Sequence, residues 1–476
     1  MDSPLLCGIL ATEKLASRSV VVQQDPYCGM QELALAFLHF TFADETLKMI
    51  WSNCLALLVL HVARASSTPH RQVARDEDAM FTVERVKAFA PPTDLEKSNQ
   101  VLNLRRTGAS SDSSKDLMSP RAARLDAPLN PVENGAAYAI DVGLGNDTYS
   151  LIFDTGSSDL WVAETGVQCM NARGRRGPVG RCEFGPLFSG DFQDGEVEGQ
   201  TFEILYGDGE FLVGTLGYED VTVAGITIDH QKIASVSEGY WLGDGVTSGI
   251  IGFAYASLTS AYKGTKNVHY ENFIDNAIDE GKTRPMFSVA IERSAGGGGG
   301  QVAFGGLPNV DFERNFTSTP LEVISFSRRP IARRKYTYYT ITPDALVLEG
   351  EAKQTSFPVI LDTGTTLAYL PPNIVEAINL AFDPPSLLVN GFWENDCNAT
   401  APEFAIDIAG TEFRISEQEL LLNDELGYDW ATGLCACGIQ ASPTQPYILG
   451  DTFLKNVVAV FDIGASEMRF APHVDY

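Results

Sequence analysis

Basic residues are scarce in this chain. Its 476 residues include 34 Lys and Arg against 62 Asp and Glu, a formal net charge of −28. Residues 1–124 hold 14 of each sign and cancel, so the whole imbalance, 20 basic against 48 acidic, falls in residues 125–476. A surface this acidic excludes nucleic acid and anionic membrane as partners. It suits a protein working in acid, where many carboxylates are neutral and self-repulsion falls. Histidine is also rare, with six in total and three beyond residue 124. With cysteine spacings that do not match zinc motifs, this argues against a metal site, and no cofactor is expected.

Long apolar runs are absent too. The strongest candidate, MIWSNCLALLVLHVARA at 49–65, has an apolar core from Leu55 to Val62 followed by the small-x-small pattern Ala63-Arg64-Ala65. It is too short for a membrane span and reads as a secretory signal peptide. It lies behind 48 residues, whereas signal peptides are N-terminal. We therefore read Met49 as the true start and residues 1–48 as a mis-predicted extension, with a short anchor as the alternative. No companion core is visible for a helical domain there. The C-terminal RFAPHVDY has no apolar tail, and there is no Ser/Thr-rich stalk, so a lipid anchor or tethered form is not expected. After signal removal no membrane association is expected.

Eight cysteines occur, five of them beyond the signal region: Cys169, Cys182, Cys397, Cys435 and Cys437. In an exported protein they should pair. Cys169 with Cys182 is the local pair. Cys397 then takes Cys435 or Cys437, leaving one thiol over. Sequons at Asn146, Asn315 and Asn398 agree with export.

What is abundant is strand and turn signal. The length implies more than one core, and Gly (43) and Pro (24) are frequent. Residues 66–124 are polar, poor in aromatics and punctuated by Arg105-Arg106, Arg121 and Arg124. They read as a pro-segment. From Tyr138 the pattern changes to YAIDVGL, YSLIF, GTLGYEDVTVAG and MFSVAIE, short alternating strands between Gly-rich turns. The run Gly296–Gly300 reads equally as a hairpin tip or a flexible linker. Helical spacing appears at 272–281 and 373–382, and Ser416 with Glu419 suggests a capping box. The fold class is all-β with a few short helices.

An internal repeat organises this pattern. LIFDTGSSDLWV (151–162) recurs as PVILDTGTTLAYL (358–370), and SGIIGFAY (248–255) recurs as YILGDTFL (447–454). Two similar lobes are implied, 125–310 and 311–476, each supplying one carboxylate: Asp154 and Asp362. Two facing carboxylates cannot both ionise cheaply, so one keeps a proton while the other stays charged. Such a pair can activate water and protonate a carbonyl oxygen, giving general acid–base hydrolysis without metal or covalent intermediate. Gly156 and Gly364 allow close approach of a substrate backbone. Thr155 and Thr363 can tie the two turns together, while Ser157 and Thr365 can donate to the outer carboxylate oxygens.

LIFDTGSSDLWV, ILYGDGEFLVG, SGIIGFAY, VILDTGTTL and ILGDTFLKNVVAVFD together resemble the pepsin family of aspartic proteases, most of all its secreted fungal members, over roughly residues 130–475. The resemblance implies a bilobal pepsin-like fold with a cleft between the lobes and Asp154 and Asp362 as the catalytic acids. It implies that Tyr206 is the tyrosine of a hairpin flap, with Gly207 beside it, and that Trp161 supports Tyr206 through its indole N–H. Asp208 is similar to a flap acid that admits a basic residue before the cleaved bond; the plain alternative is a turn aspartate. Ile152, Trp241, Ile250 and Thr366 are carried over as further substrate contacts. The chain departs from the family at Glu210, where Ser or Thr is usual, and at Thr247-Ser248, where Phe-Asp is usual. The latter change should open a pocket wall that Ile250 and Trp241 then fill. The disulfide loop 169–182 is long and basic, RRPIARRK (328–335) is an unmatched insertion, and no lysine in the pro-segment is placed to plug the pair. The expectation is a monomeric aspartic endopeptidase, made as a precursor, secreted or alternatively vacuolar, that cuts polypeptides between large apolar residues at acid pH.

Overall fold

A computed structural model describes residues 82–85, 95–106, 137–177, 182–292, 299–313, 315–325, 336–423 and 427–474. All of them fall in one unit, Asp78–Tyr476. The expected signal, the N-terminal extension, most of the pro-segment and the 328–335 insertion lie outside the described residues.

Strands dominate, and the four α-helices among the described residues are short. Alternation explains the strands. In Asp147–Asp154, Tyr149, Leu151 and Phe153 are buried while Ser150 and Ile152 on the other face are half-buried, the period-two pattern of a sheet with two different faces. This strand belongs to a fifteen-stranded sheet that runs through both halves of the sequence. Toward one end lie Leu160–Cys169, Ile226–Tyr240 and the long hairpin Glu196–Leu205/Phe211–Val223. Toward the other lie Tyr138–Leu144, Gln100–Arg106, Gly299–Phe304, Phe287–Ile291 and the C-terminal pair Val457–Asp462/Glu467–Pro472. The strand Gln100–Arg106, within the stretch read as a pro-segment, pairs along its length with Gly299–Phe304, and its Leu104 is part of the main core.

The repeated motifs build the same local topology twice. Asp147–Asp154 lies parallel to Gly249–Gly252, which lies antiparallel to Leu160–Cys169. In the second lobe Val359–Leu361 lies parallel to Tyr447–Leu449, which lies antiparallel to Ala368–Leu370. Each downstream Gly element is thus inserted between the strand that enters its Asp-Thr-Gly turn and the strand that leaves it. Between the lobes sits an aromatic core: Phe287 stacks on Phe461 at 4.6 Å, and Tyr339 meets Phe461 edge-on at 4.7 Å. Offset and edge-to-face pairs of this kind add specific geometry to the area they bury.

The helices expected at 272–281 and 373–382 form as Phe273–Asp279 and Pro372–Leu380. Asn272 caps the first through its side chain, and proline opens the second. The capping box at Ser416 is not formed. Ser416 precedes the one-turn helix Glu417–Leu420 but makes no side-chain cap. Glu419 instead pairs with Lys455 at 2.8 Å, both side chains 3% exposed, and a buried cation outcompetes a backbone N–H for a carboxylate. The strands on either side of 293–298 pair with each other, with Ile291 opposite Gly300; residues 293–298, with most of the glycine run, lie outside the described residues. Cys169 is bonded to Cys182 and Cys397 to Cys435. Among the described residues Cys437 is the free thiol; burial pushes its pKa up to about 12, which keeps it an unreactive thiol.

Candidate active site

The two Asp-Thr-Gly turns meet between the lobes and are tied together reciprocally. The Thr155 N–H donates to Thr363 Oγ1 at 3.1 Å, and the Thr363 N–H donates to Thr155 Oγ1 at 3.0 Å. Each hydroxyl passes its own proton to the opposite strand, Thr155 Oγ1 to the Leu361 carbonyl (2.9 Å) and Thr363 Oγ1 to the Phe153 carbonyl (2.8 Å). Both threonines are fully buried. Four buried polar groups are thereby satisfied by one symmetric set of bonds, which is why a buried turn tolerates threonine here.

This lock brings Asp154 and Asp362 face to face. A Cβ at Gly156 would lie 2.5 Å from the Asp362 carboxyl, and a Cβ at Gly364 would lie 2.5 Å from Asp154 Oδ1. Any side chain at either glycine would collide with the opposite acid, so glycine is required by close approach at both positions. The carboxyls are oriented alike. Asp154 accepts from the Gly156 N–H at 2.7 Å on Oδ1 and from the Ser157 hydroxyl on Oδ2. Asp362 accepts from the Gly364 N–H at 2.9 Å on Oδ1 and from the Thr365 hydroxyl at 2.7 Å on Oδ2. Burial, followed by the neighbouring Asp154 charge, drives the Asp362 pKa far above the ordinary carboxylate range. A proton is thereby retained on the pair at a pH where isolated aspartates have lost theirs. Thr366, next in the second turn, uses its carbonyl to accept from the Thr452 N–H at 3.0 Å, fastening the turn to the downstream Gly element.

The hairpin Glu196–Leu205/Phe211–Val223 carries Tyr206, Gly207 and Asp208 at its tip. The Trp161 indole N–H donates to the Tyr206 hydroxyl at 2.8 Å. Burial and then the Asp154 charge raise the Tyr206 pKa well above its ordinary value, so its hydroxyl keeps its proton and stays a donor. Asp208 is exposed, and its Oδ1 accepts the Glu210 N–H at 2.9 Å, the bond of an Asx turn. Glu210, noted only as a departure, is buried and accepts the Leu242 N–H at 2.6 Å, so it fastens the flap tip to the segment carrying Trp241. Thr247 and Ser248 are buried, and Thr247 is bound to Asp244 through both N–H and hydroxyl. The wall beside them is aromatic. Trp241 stacks on Phe184 at 6.2 Å and meets Trp161 edge-on at 5.1 Å, with Tyr206 6.0 Å away. Ile152 and Ile250 are paired across the adjoining strands and pack with this cluster.

Sequence reasoning missed three neighbours of this site. Tyr338, in the second lobe, has its pKa raised by burial and then by the charges of Asp362 and Asp154. Asp159 and Tyr270 form a buried acid–phenol pair behind Trp161. The run YTYYTI and the Asp two places before Trp161 were visible signals, but neither contact is local in sequence. Among the described residues no group of three or more His, Cys, Asp or Glu is arranged to hold a metal ion, and no helix is long and apolar enough to cross a membrane.

Two facing carboxyls on twin turns, with a tyrosine-bearing hairpin near them, are the geometry on which the comparisons with known proteins bear. The family profile for eukaryotic aspartyl proteases matches residues 137–473, and the chain belongs to that family as an aspartic-type endopeptidase. It is 34% identical over 453 residues to a probable aspartic-type endopeptidase of Aspergillus fumigatus, covering 91% of this chain and 99% of that protein. It is 30% identical to rhizopuspepsin of Rhizopus chinensis over 358 residues, 74% of this chain and 82% of that one. The crystal structure of the aspartic proteinase from Irpex lacteus superposes with a TM-score of 0.56 at 19% identity, covering 78% of this chain and 97% of that one, a likeness of fold.

Proposed function

We propose that this endopeptidase hydrolyses polypeptides at acid pH with Asp154 and Asp362 as its catalytic pair. The observation that carries this reading is the mutual close approach of the two carboxyls, each against the glycine of the other turn. Asp362 holds the shared proton and Asp154 the charge. A water lying between them attacks the peptide carbonyl carbon while Asp154 takes its proton. Asp362 gives its own proton to the carbonyl oxygen, producing a neutral gem-diol. Collapse of that diol breaks the C–N bond, and the amine leaves with a proton returned by the pair. What supports acid as the working range is the acidity of the mature region, whose self-repulsion falls as its carboxylates are neutralised.

Ile152, Trp161, Tyr206, Gly207, Trp241 and Ile250 form the substrate wall of the first lobe in this reading, and Gly364, Thr365 and Thr366 that of the second. The aromatic lining favours large apolar side chains around the cleaved bond. Because Asp208 is engaged in the flap turn yet exposed, it tolerates a basic residue there as well. Export, removal of a pro-segment ending before residue 125, and a monomeric mature form complete the proposal. Residues 66–476 should be expressed and incubated in acid with a denatured protein substrate. Internal cleavage at acid pH that fades toward neutrality, with a new N-terminus near residue 125, is expected. No cleavage after removal of the pro-segment would overturn the reading.

A further inference from the structure

Asp159 has an unexpected identity when the two turns are aligned. Residues 154–161, DTGSSDLW, match residues 362–369, DTGTTLAY, so Asp159 corresponds to Leu367 and Trp161 to Tyr369. Both Asp159 and Leu367 are 1% exposed. The second turn forms with an apolar residue at this depth, so the turn itself does not need a carboxyl. Two residues beyond Asp159, the first copy carries Trp161 with its hydrogen bond to the flap.

The acid is carefully held. Tyr270, just before the helix Phe273–Asp279, donates its hydroxyl to Asp159 Oδ1 at 2.5 Å, and the Ser260 N–H lies 3.0 Å from both carboxyl oxygens. The Asp159 carbonyl accepts the Gly252 N–H at 2.9 Å. The titratable groups facing it are Tyr270 and Tyr206. Lys232 stands over the far side of the Tyr270 ring at 5.2 Å, and Glu210 and Asp154 act on Tyr206 rather than on Asp159. None of these groups is a cation touching the carboxyl itself. Ionising it leaves a buried charge held only by neutral donors, which is costly.

We propose that Asp159, held by Tyr270, is a positioning residue through which protonation controls the grip of the flap. Neutral, it seats the strand start that carries Trp161, and Trp161 holds Tyr206 over the substrate. Ionised, it draws water into that seat and weakens the Trp161–Tyr206 bond. Burial pushes the Asp159 pKa up to about 6 against the three donor contacts that lower it, so the change falls between acid and neutral pH. The proposal rests on the protease reading above. It assigns flap closure, and hence substrate affinity, to Asp159, and the chemical step to the Asp154–Asp362 pair.

The test separates KM from kcat on the acid-treated full chain with one apolar peptide between pH 4 and 7. In the parent, KM should rise about fivefold near pH 6, the scale of one lost hydrogen bond. In Asp159→Asn that rise should vanish whatever the plateau value, while the pH dependence of kcat remains. Tyr270→Phe removes a contact that lowers the Asp159 pKa, so its KM rise should move to higher pH; a purely structural role for Tyr270 would not move this midpoint. A parent KM that is flat with pH, or an unshifted rise in both variants, would overturn the proposal. Tryptophan emission followed over the same pH range without substrate should show the same transition, lost in Asp159→Asn and shifted upward in Tyr270→Phe. If the parent does not cleave, the protease reading fails while this titration still decides whether Asp159 moves Trp161.

Discussion

The two Asp-Thr-Gly turns are close copies in their bonds and unlike in what surrounds them. Each has a glycine N–H on one carboxyl oxygen, a hydroxyl on the other and a threonine locked into the opposite lobe. Yet the first turn leads into Asp159 and Trp161 and a hairpin built on strands of 10 and 13 residues, while the second leads into Leu367 and the three-residue strand Ala368–Leu370. On the proposed reading, the symmetric part holds the shared proton and the asymmetric part, concentrated in the first lobe, closes over the substrate. The turn geometry is duplicated, whereas the long hairpin and the buried acid belong to one copy.

The symmetric part is the more sensitive to change. Replacing Gly364 by Ala places a methyl against Asp154 and should cut kcat/KM by roughly a hundredfold or more through misplacement of the pair. Peptide-cleavage kinetics alongside circular dichroism checks this, and a variant with near-parent activity would show that the carboxyls are not in close opposition. Thr155→Val should come next. It orphans the Thr363 N–H and the Leu361 carbonyl acceptor site, a loss on the order of 2–6 kcal/mol at 1–3 kcal/mol per buried group. Denaturant unfolding would read it, and Thr363→Val should match it if the lock is as symmetric as its distances.

Stability against pH sharpens the asymmetric part. Burial raises the pKa of Asp159 to about 6, and burial with the nearby Glu271 raises that of Asp275 to about 7. Both bind their protons more tightly in the folded chain than in the unfolded one. Their stabilising effect is therefore complete below about pH 4 and is lost as pH rises through 6 and 7, on the order of 3 kcal/mol per group. The melting temperature should fall as pH rises from 4 to 7, and Asp159→Asn should flatten part of that fall. A melting temperature that climbs over this range would contradict it.

Much of the symmetric part was readable in the chain because each partner lies within three residues of its acid. Asp154, Ser157, Asp362 and Thr365 follow from a repeated motif plus the chemistry of a carboxylate in a tight turn. Tyr206 and Trp161 were reached through family resemblance, since 45 residues separate donor and acceptor. The contacts that escaped were tertiary. Tyr270 meets Asp159 from 111 residues away, and Glu210, which the sequence marks only as a departure from the family pattern, binds the Leu242 N–H from 32 residues away. Glu419 was assigned to a local cap, but Lys455 from a distant helix end takes it. The strand Gln100–Arg106 carried no strong strand signal of its own, because its register is imposed by Gly299–Phe304. Local chemistry was legible, and partner choice across the core was not.

The central claim is that the two turns form one catalytic unit. It is tested most directly by comparing kcat/KM at acid pH for Asp154→Asn, Asp362→Asn and the double variant. Groups that act together on one water should each lose about a thousandfold or more alone, with little further loss in the double variant. A single variant that keeps substantial activity, or losses that multiply in the double variant, would contradict it.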